Sequence, residues 1–160
     1  MKTVTTFFLL ILSILSGNSQ DLRELKAYLG ERREADAINR TGDALHLEQL
    51  VYPTSNLLYL RNGSIEKTGQ SLASLDTDAP SLRLLTGIST DFADIELIKV
   101  RLSESDAQDV RTLLEKRNGF NKLKFILFVC EFSCDSVSLQ KFLPRNAAGI
   151  TLLYSVSIPN

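Results

Sequence analysis

Two cysteines are the residues in this chain whose types and spacing most directly suggest chemistry. Cys130 and Cys134 are the only cysteines in the sequence, and three residues separate them. In an oxidising compartment such a pair predicts a disulfide that closes a small loop. A pair of reduced, inert thiols remains an open alternative, because the geometry decides which state forms. The spacing differs from that of redox-active Cys-x-x-Cys pairs, so we do not expect a redox centre.

The single histidine is the second candidate. Every triad or general-base scheme in this chain has to use His46, because the sequence holds 1 histidine. His46 stands between Leu45 and Leu47, and strand-like alternation would turn its ring to the polar face, so we interpret it as a solvated strand histidine. Zinc needs about four ligands, which this histidine and the two cysteines do not supply. We therefore expect no metal and no cofactor, and we assign no residue as catalytic.

The remaining motifs favour no enzyme class. The sequence contains neither the phosphate-binding Gly-x-x-x-x-Gly-Lys nor the esterase Gly-x-Ser-x-Gly. Acidic residues occur in pairs that are close in sequence. Such pairs more often lie solvent-exposed in a turn or at a helix start than perform acid–base catalysis. These pairs are Asp76 and Asp78, Asp91 and Asp94, and Asp106 and Asp109.

Composition limits the protein to one ordinary domain. The 160 residues are 44% hydrophobic, which is enough for one compact core. The 18 Lys and Arg residues balance the 19 Asp and Glu residues. Without a basic excess, we expect no nucleic-acid partner.

The first residues resemble an export signal. Lys2 precedes an apolar run over residues 7–15, and small residues follow it. This pattern predicts a secretory signal peptide over residues 1–19 that is cut between Ser19 and Gln20. The sequence therefore predicts an exported protein, periplasmic or secreted, with a single domain over residues 20–160. No later apolar stretch approaches the length of a transmembrane span.

The elements of the amino-terminal half are predicted from periodicity and turn residues. Residues 21–40 show helical spacing, and Gly30 is expected to bend or split this helix. Residues 44–52 and 57–60 are strand candidates, the second closed by the turn pair at residues 62–63, which suggests a hairpin at a sheet edge. Residues 68–90 fit no single pattern.

The carboxyl-terminal half predicts an α/β fold with a largely parallel sheet. Strands are expected over residues 95–102, 123–130 and 150–158, and the middle one is apolar on both faces. A helix is expected to begin at Ser105 with a capping box closed by Gln108, and a short helical turn over residues 137–143. A strand, a helix and another strand normally return parallel, so we predict a single small α/β domain with crossover helices.

A weak repeat accompanies these strands. Four apolar positions recur 28 residues later, and two recur again after a further 27. They are Phe92, Ile95, Ile98 and Val100, then Phe120, Leu123, Ile126 and Phe128, then Ile150 and Leu153.

Residues 92–160 therefore resemble long leucine-rich repeats, and the resemblance implies a short arc whose strands line its inner face. Three evenly spaced strands in a compact sheet are an equally open interpretation. Residues 125–133 and 154–158 also resemble small exported bacterial proteins of unknown function.

Two functional hypotheses follow. The favoured one is a small exported binding or interaction module whose strand face contacts another protein or a surface component. The alternative is a small extracytoplasmic hydrolase or redox enzyme that uses His46 or Cys130. A hydrogen bond from His46 to an acid or a thiol inside a cleft would favour the enzyme.

Overall fold

A computed structural model describes residues 21–86, 92–106, 110–115, 119–145 and 147–158. The predicted signal peptide lies outside these residues, as do Gln108 and hence the predicted capping box. Within them the chain forms one sheet of seven strands. The strands are β1 (Leu22–Glu24), β2 (Leu57–Arg61), β3 (Ser64–Thr68), β4 (Ser74–Asp78), β5 (Leu97–Leu102), β6 (Phe125–Cys130) and β7 (Thr151–Val156).

The sheet is parallel except at one edge, which confirms the predicted α/β class. Its strand order is β1-β7-β6-β5-β4-β2-β3, and only the β2–β3 hairpin is antiparallel. The hairpin turns at residues 62–63, as the sequence predicts, and β3 is the edge strand. β5 and β6 pair in parallel, with Val100 opposite Phe128.

Two layers cover the sheet. On one face lie helices α1 (Leu25–Asn39) and α2 (Asp43–Val51), whose buried side chains pack on Leu97, Leu127 and Leu153. On the other face lie the connections between the parallel strands. These are helix α3 (Val110–Glu115) and the 3-10 helices Pro80–Thr86 and Ser138–Phe142.

The register explains part of the predicted repeat. Ile98 lies opposite Ile126, so the 28-residue offset is the register offset between β5 and β6. The rings of Phe92 and Phe120 also stack, with centroids 4.9 Å apart. The 27-residue continuation is wrong, because Ile126 lies opposite Leu152 and not Leu153. A shift of one residue reverses the face of a strand side chain, and Leu153 packs under α1 and α2.

The prediction for residues 44–52 is wrong, since they form helix α2 and not a strand. Ala44, Leu47, Leu50 and Val51 are buried, whereas Leu45 is 60% exposed. This burial repeats every three to four residues, which is helical spacing and not alternation.

Helix α1 differs from its prediction at its start and at Gly30. Leu22 belongs to strand β1, and the helix continues through Gly30 to Asn39 without a break. A glycine inside a helix costs about 1 kcal/mol, which burial of Leu25, Tyr28 and Leu29 offsets. Arg40, whose backbone is left-handed, caps the helix after Asn39.

Two further segments, residues 68–90 and the start of α3, also bear on the predictions. The unassigned residues 68–90 contain β4 and the 3-10 helix Pro80–Thr86, and residues 87–90 lie outside the described ranges. The described part of α3 begins at Val110, whereas Ser105, predicted to open the helix, lies in a turn closed by Asp106. Among the described residues, no helix combines the length and apolar character that crossing a bilayer requires.

Candidate functional site

The two cysteines lie where strand β6 ends. Cys130 is its last residue and is buried, and Cys134 follows in the loop. Their sulfur atoms lie at disulfide distance and their Cα atoms 6.4 Å apart, as the spacing predicts. A disulfide between them would join the end of strand β6 to the loop that follows it.

His46 lies on helix α2, so its assignment to the polar face of a strand is wrong. Its ring is 47% exposed, and its Nε2 lies 3.0 Å from Oε2 of Glu96. Lys124 Nζ donates to the same oxygen at 2.7 Å. Burial would raise the pKa of Glu96, but the hydrogen bonds from Lys124 and His46 outweigh it and hold that pKa below its usual value.

The structure does not bring the predicted residues together. Glu96, the partner of His46, precedes the first residue of β5, whereas Cys130 ends β6. Because β5 and β6 are parallel, the two positions lie at opposite ends of the sheet. The thiol and the imidazole therefore cannot act in one site.

A different group of residues meets at a cleft near the carboxyl ends of the strands. The cleft has a volume of about 630 Å³ and lies over β2, β3, β4 and β5, beside the end of α2. We call it the ion-cluster cleft. It is lined by Val51, Tyr52, Pro53, Leu57, Tyr59, Arg61, Asn62, Ser64, Glu66, Asp76, Lys99 and Arg101.

Asp76 of β4 forms the floor of this cleft. Its side chain is 3% exposed. Arg61 Nη2 donates to Oδ1 at 2.8 Å, and Arg101 donates through Nε to Oδ1 at 3.1 Å and through Nη2 to Oδ2 at 3.2 Å. Lys99 Nζ lies 3.6 Å from Oδ2. Three cations therefore surround one buried carboxylate.

The sheet register places these groups on one face. Asp76 lies opposite Tyr59 of β2 and opposite Lys99 of β5. Arg61 and Arg101 follow two residues after Tyr59 and Lys99, so they point to the same side of the sheet. Helices α1 and α2 cover this face over β5, β6 and β7 and leave the cluster open.

The charge of Asp76 is maintained by its neighbours. Burial alone would raise its pKa, but hydrogen bonds from Arg101 and Arg61, with the charges of Arg101 and Lys99, hold the pKa of Asp76 below its usual value. The hydrogen bond to Asp76 likewise raises the pKa of Arg101. The shifts of both partners therefore favour the ionised form of the Asp76–Arg101 pair at neutral pH.

Lys99 links the cluster to helix α2. Its Nζ donates to the carbonyl oxygen of Val51 at 2.7 Å, and Val51 is the last residue of the helix. A cation at this position also suits the negative end of the helix dipole. Burial lowers the pKa of Lys99 more than the charge of Asp76 raises it.

Arg61 contacts Tyr59 and binds Asp76 through a single nitrogen. Its guanidinium lies over the ring of Tyr59, 5.0 Å from the centroid. One of its nitrogens, Nη2, donates to Asp76, whereas Nε is buried without an acceptor. A buried donor without a partner costs about 1–3 kcal/mol.

Two more clefts adjoin the first. One, of about 390 Å³, shares Arg61 and Arg101 with it and contains Asp78, Asp106 and Glu131. The other, of about 720 Å³, lies between α1 and the end of β7 and shares Tyr52 with the ion-cluster cleft. We call the larger one the α1–β7 cleft.

The ion-cluster cleft offers groups for electrostatic recognition. It presents three cationic side chains, Arg61, Lys99 and Arg101, against the carboxylates of Asp76 and Glu66. In the described parts of the chain, no group of three or more His, Cys, Asp or Glu side chains is arranged to hold a metal ion. The excess of cations suits an anionic group.

Sequence reasoning missed this site because it interpreted Asp76 and Asp78 as solvated. Asp78 fits that interpretation, since its carboxylate accepts hydrogen bonds from the backbone of Asn62 and Ser81 in turns. Asp76 does not fit it. The available signal was the alternation of Lys99 with Arg101 in a predicted strand, and of Tyr59 with Arg61 at the end of another and just after it.

Comparisons with known proteins add no relative. No protein-family model, no curated protein and no solved structure matched the chain. The function must therefore be argued from the site itself.

Proposed function

We propose that this protein is a small exported binding module whose ion-cluster cleft receives a carboxylate group of its ligand. One observation carries the proposal. Asp76 is buried on the floor of an open cleft and is surrounded by Arg61, Lys99 and Arg101. In this position the carboxylate of Asp76 aligns the three cationic side chains while they still face the cleft.

The two arginines retain donors for a ligand. A guanidinium has five N–H groups. Arg61 donates to Asp76 through one nitrogen and Arg101 through two. The side chains of Arg61 and Arg101 are 39% and 34% exposed. Charge-assisted hydrogen bonds from such groups bind carboxylates in a fixed geometry.

The position of the cleft supports the same proposal. In open α/β sheets, ligands bind outside the carboxyl ends of the strands. Arg61 and Arg101 stand at or next to the last residues of β2 and β5. Tyr59 and the exposed Tyr52 add aromatic walls beside the cations.

The leucine-rich-repeat resemblance of residues 92–160 is part of this proposal. It is supported by the 28-residue register offset of β5 and β6 and by the connections packed on one face. Helices α1 and α2 cover the strand face over β5, β6 and β7, so the ligand site that we propose lies beside them, where the face is open over β2 and β4. The ion-cluster cleft lies on the face opposite to the connections.

The enzyme alternative has one supporting contact, between His46 and Glu96. The imidazole is half-exposed, and neither His46 nor Glu96 lines any of the three clefts described above. Cys130 is buried and lies at disulfide distance from Cys134. We therefore favour the binding module.

The proposal is tested by titrating the isotope-labelled protein with sodium benzoate and, in parallel, with benzamide. We expect benzoate to shift the NMR signals of the Arg61 and Arg101 side chains, because only benzoate carries the charge. Arg61→Gln should weaken benzoate binding about tenfold, the value of one charge-assisted hydrogen bond.

Lys122→Gln is the matched control. It removes one positive charge from an exposed pair with Asp94, away from the cleft. Its benzoate affinity should change less than about twofold, since exposed charges are screened. Equal shifts with benzoate and benzamide, or equal losses in the two variants, would contradict the proposal.

A further inference from the structure

The α1–β7 cleft continues the ion-cluster cleft on the other side of Tyr52. Tyr52 follows the last residue of α2, is 69% exposed and lines both clefts. The two clefts differ in character. The first has an excess of cations, whereas the α1–β7 cleft has balanced charges, with Glu24 and Glu48 against Lys26 and Arg33.

The α1–β7 cleft exposes apolar side chains to solvent. Val156 of β7 and Tyr52 are its exposed apolar side chains, whereas Leu25 and Leu29 of α1 line it but are almost completely buried. Val156 is 47% exposed although it belongs to a strand. A group that covers these side chains removes apolar area from water.

The distance between the clefts sets the length of a ligand that fills both. Arg61 stands on β2 and Ser155 on β7, and strands β4, β5 and β6 lie between them. Four inter-strand steps of about 4.8 Å make about 19 Å. An extended peptide covers about 3.3 Å per residue, so about six residues span both clefts.

We propose that the ligand is an extended peptide segment of another protein, with an acidic group in the ion-cluster cleft and an apolar side chain in the α1–β7 cleft. This inference rests on the proposed carboxylate-binding function. Charge complementarity selects the acidic end of the peptide, and the exposed side chains of Val156 and Tyr52 select its apolar end. A small carboxylic acid would fill only the first cleft. An acidic oligosaccharide would lack the aliphatic group.

The test uses the peptide acetyl-Leu-Trp-Gly-Gly-Gly-Asp-amide and the same peptide in reverse order. The protein contains no tryptophan, so tryptophan emission reports on the peptide alone. We expect the emission of at least one peptide to shift to shorter wavelength on binding. Replacing its Asp by Asn should weaken binding about tenfold, and replacing Leu-Trp by Gly-Ser, measured by calorimetry, by a similar factor.

Two variants assign the ends of the peptide. Val156→Asn should weaken peptide binding about tenfold and leave benzoate binding unchanged. Arg61→Gln should weaken the binding of both ligands. Leu45→Asn is the control, because Leu45 is exposed on α2 and lines neither cleft. Circular dichroism of each variant verifies that it folds.

The outcomes separate this inference from the proposed function. If benzoate binds but neither peptide binds more tightly than benzoate, or if Val156→Asn has no effect, the peptide inference is overturned and the carboxylate site stands. Binding of tetragalacturonate in preference to the peptides also overturns it, because the partner is then a glycan. Failure of benzoate itself to bind would overturn both.

Discussion

At the scale of single residues, the decisive side chain is Asp76, and its burial could not be inferred from its neighbours in the chain. The sequence places it beside Asp78, and the pair looks like two solvated turn carboxylates. In the fold, Arg61 reaches it from β2, and Lys99 and Arg101 reach it from β5. These partners lie 15 to 25 residues away, and only the strand register brings them to Asp76.

The first prediction concerns the stability that Asp76 contributes. Removing one partner of a buried ion pair costs about 3–5 kcal/mol, and the partial exposure of both arginines reduces this value. Asp76→Asn, which preserves shape, should therefore lower the free energy of unfolding by about 2 kcal/mol at pH 7. Urea denaturation of both proteins measures the difference.

The pH dependence of that difference follows from the sign of the shift. The pKa of Asp76 in the folded protein lies below the ordinary 3.8, so its stabilising contribution is present above that pH. The contribution is lost as the pH falls through the folded-state pKa. The difference in unfolding free energy between the wild type and Asp76→Asn should accordingly become smaller below about pH 4. A gap that is constant from pH 7 to pH 3 would contradict the assignment.

At the scale of elements, the predictions succeeded for strands whose burial shows in the sequence and failed for one short helix. Strands β5, β6 and β7 were predicted within a few residues, because apolar runs between turn residues identify buried strands. Helix α2 was mistaken for a strand. Its nine residues are too few for the helical repeat to stand out from the alternation of Leu45, His46 and Leu47. Asp36 of α1 accepts hydrogen bonds from the backbone of Asp43 and Ala44 and so fixes where α2 begins.

The second prediction separates the helix from the strand. In a strand, Leu45 and Leu47 would share one face, whereas in α2 Leu47 is 1% exposed and Leu45 is 60% exposed. Leu47→Ala should therefore cost about 3 kcal/mol in unfolding free energy, and Leu45→Ala less than about 0.5 kcal/mol. Parallel urea titrations of the two variants compare them directly. Similar losses in both would indicate that residues 44–52 alternate as a strand.

At the scale of the whole molecule, different structures lie on the two faces of the sheet. The face with α3 and the 3-10 helices carries the larger core cluster, and the opposite face divides between the α1–α2 layer and the ion-cluster cleft. The parallel architecture was predictable from the order of strands and helices. The cleft was not, because it exists only where the α1–α2 layer stops short of β2 and β3.

The third prediction concerns the protein as a cell makes it. If residues 1–19 are an export signal, the mature product begins at Gln20, and the oxidising compartment joins Cys130 to Cys134. Intact mass spectrometry of the exported chain should show this start and a gain of two hydrogens on reduction. Leu10→Arg, which interrupts the apolar run, should keep the full-length chain inside the cell with both thiols reduced. The two observations are independent, because an unprocessed chain can be oxidised in vitro. A Met1 start on the exported product would refute the signal, and a mature chain that gains no mass with reductant would refute the disulfide.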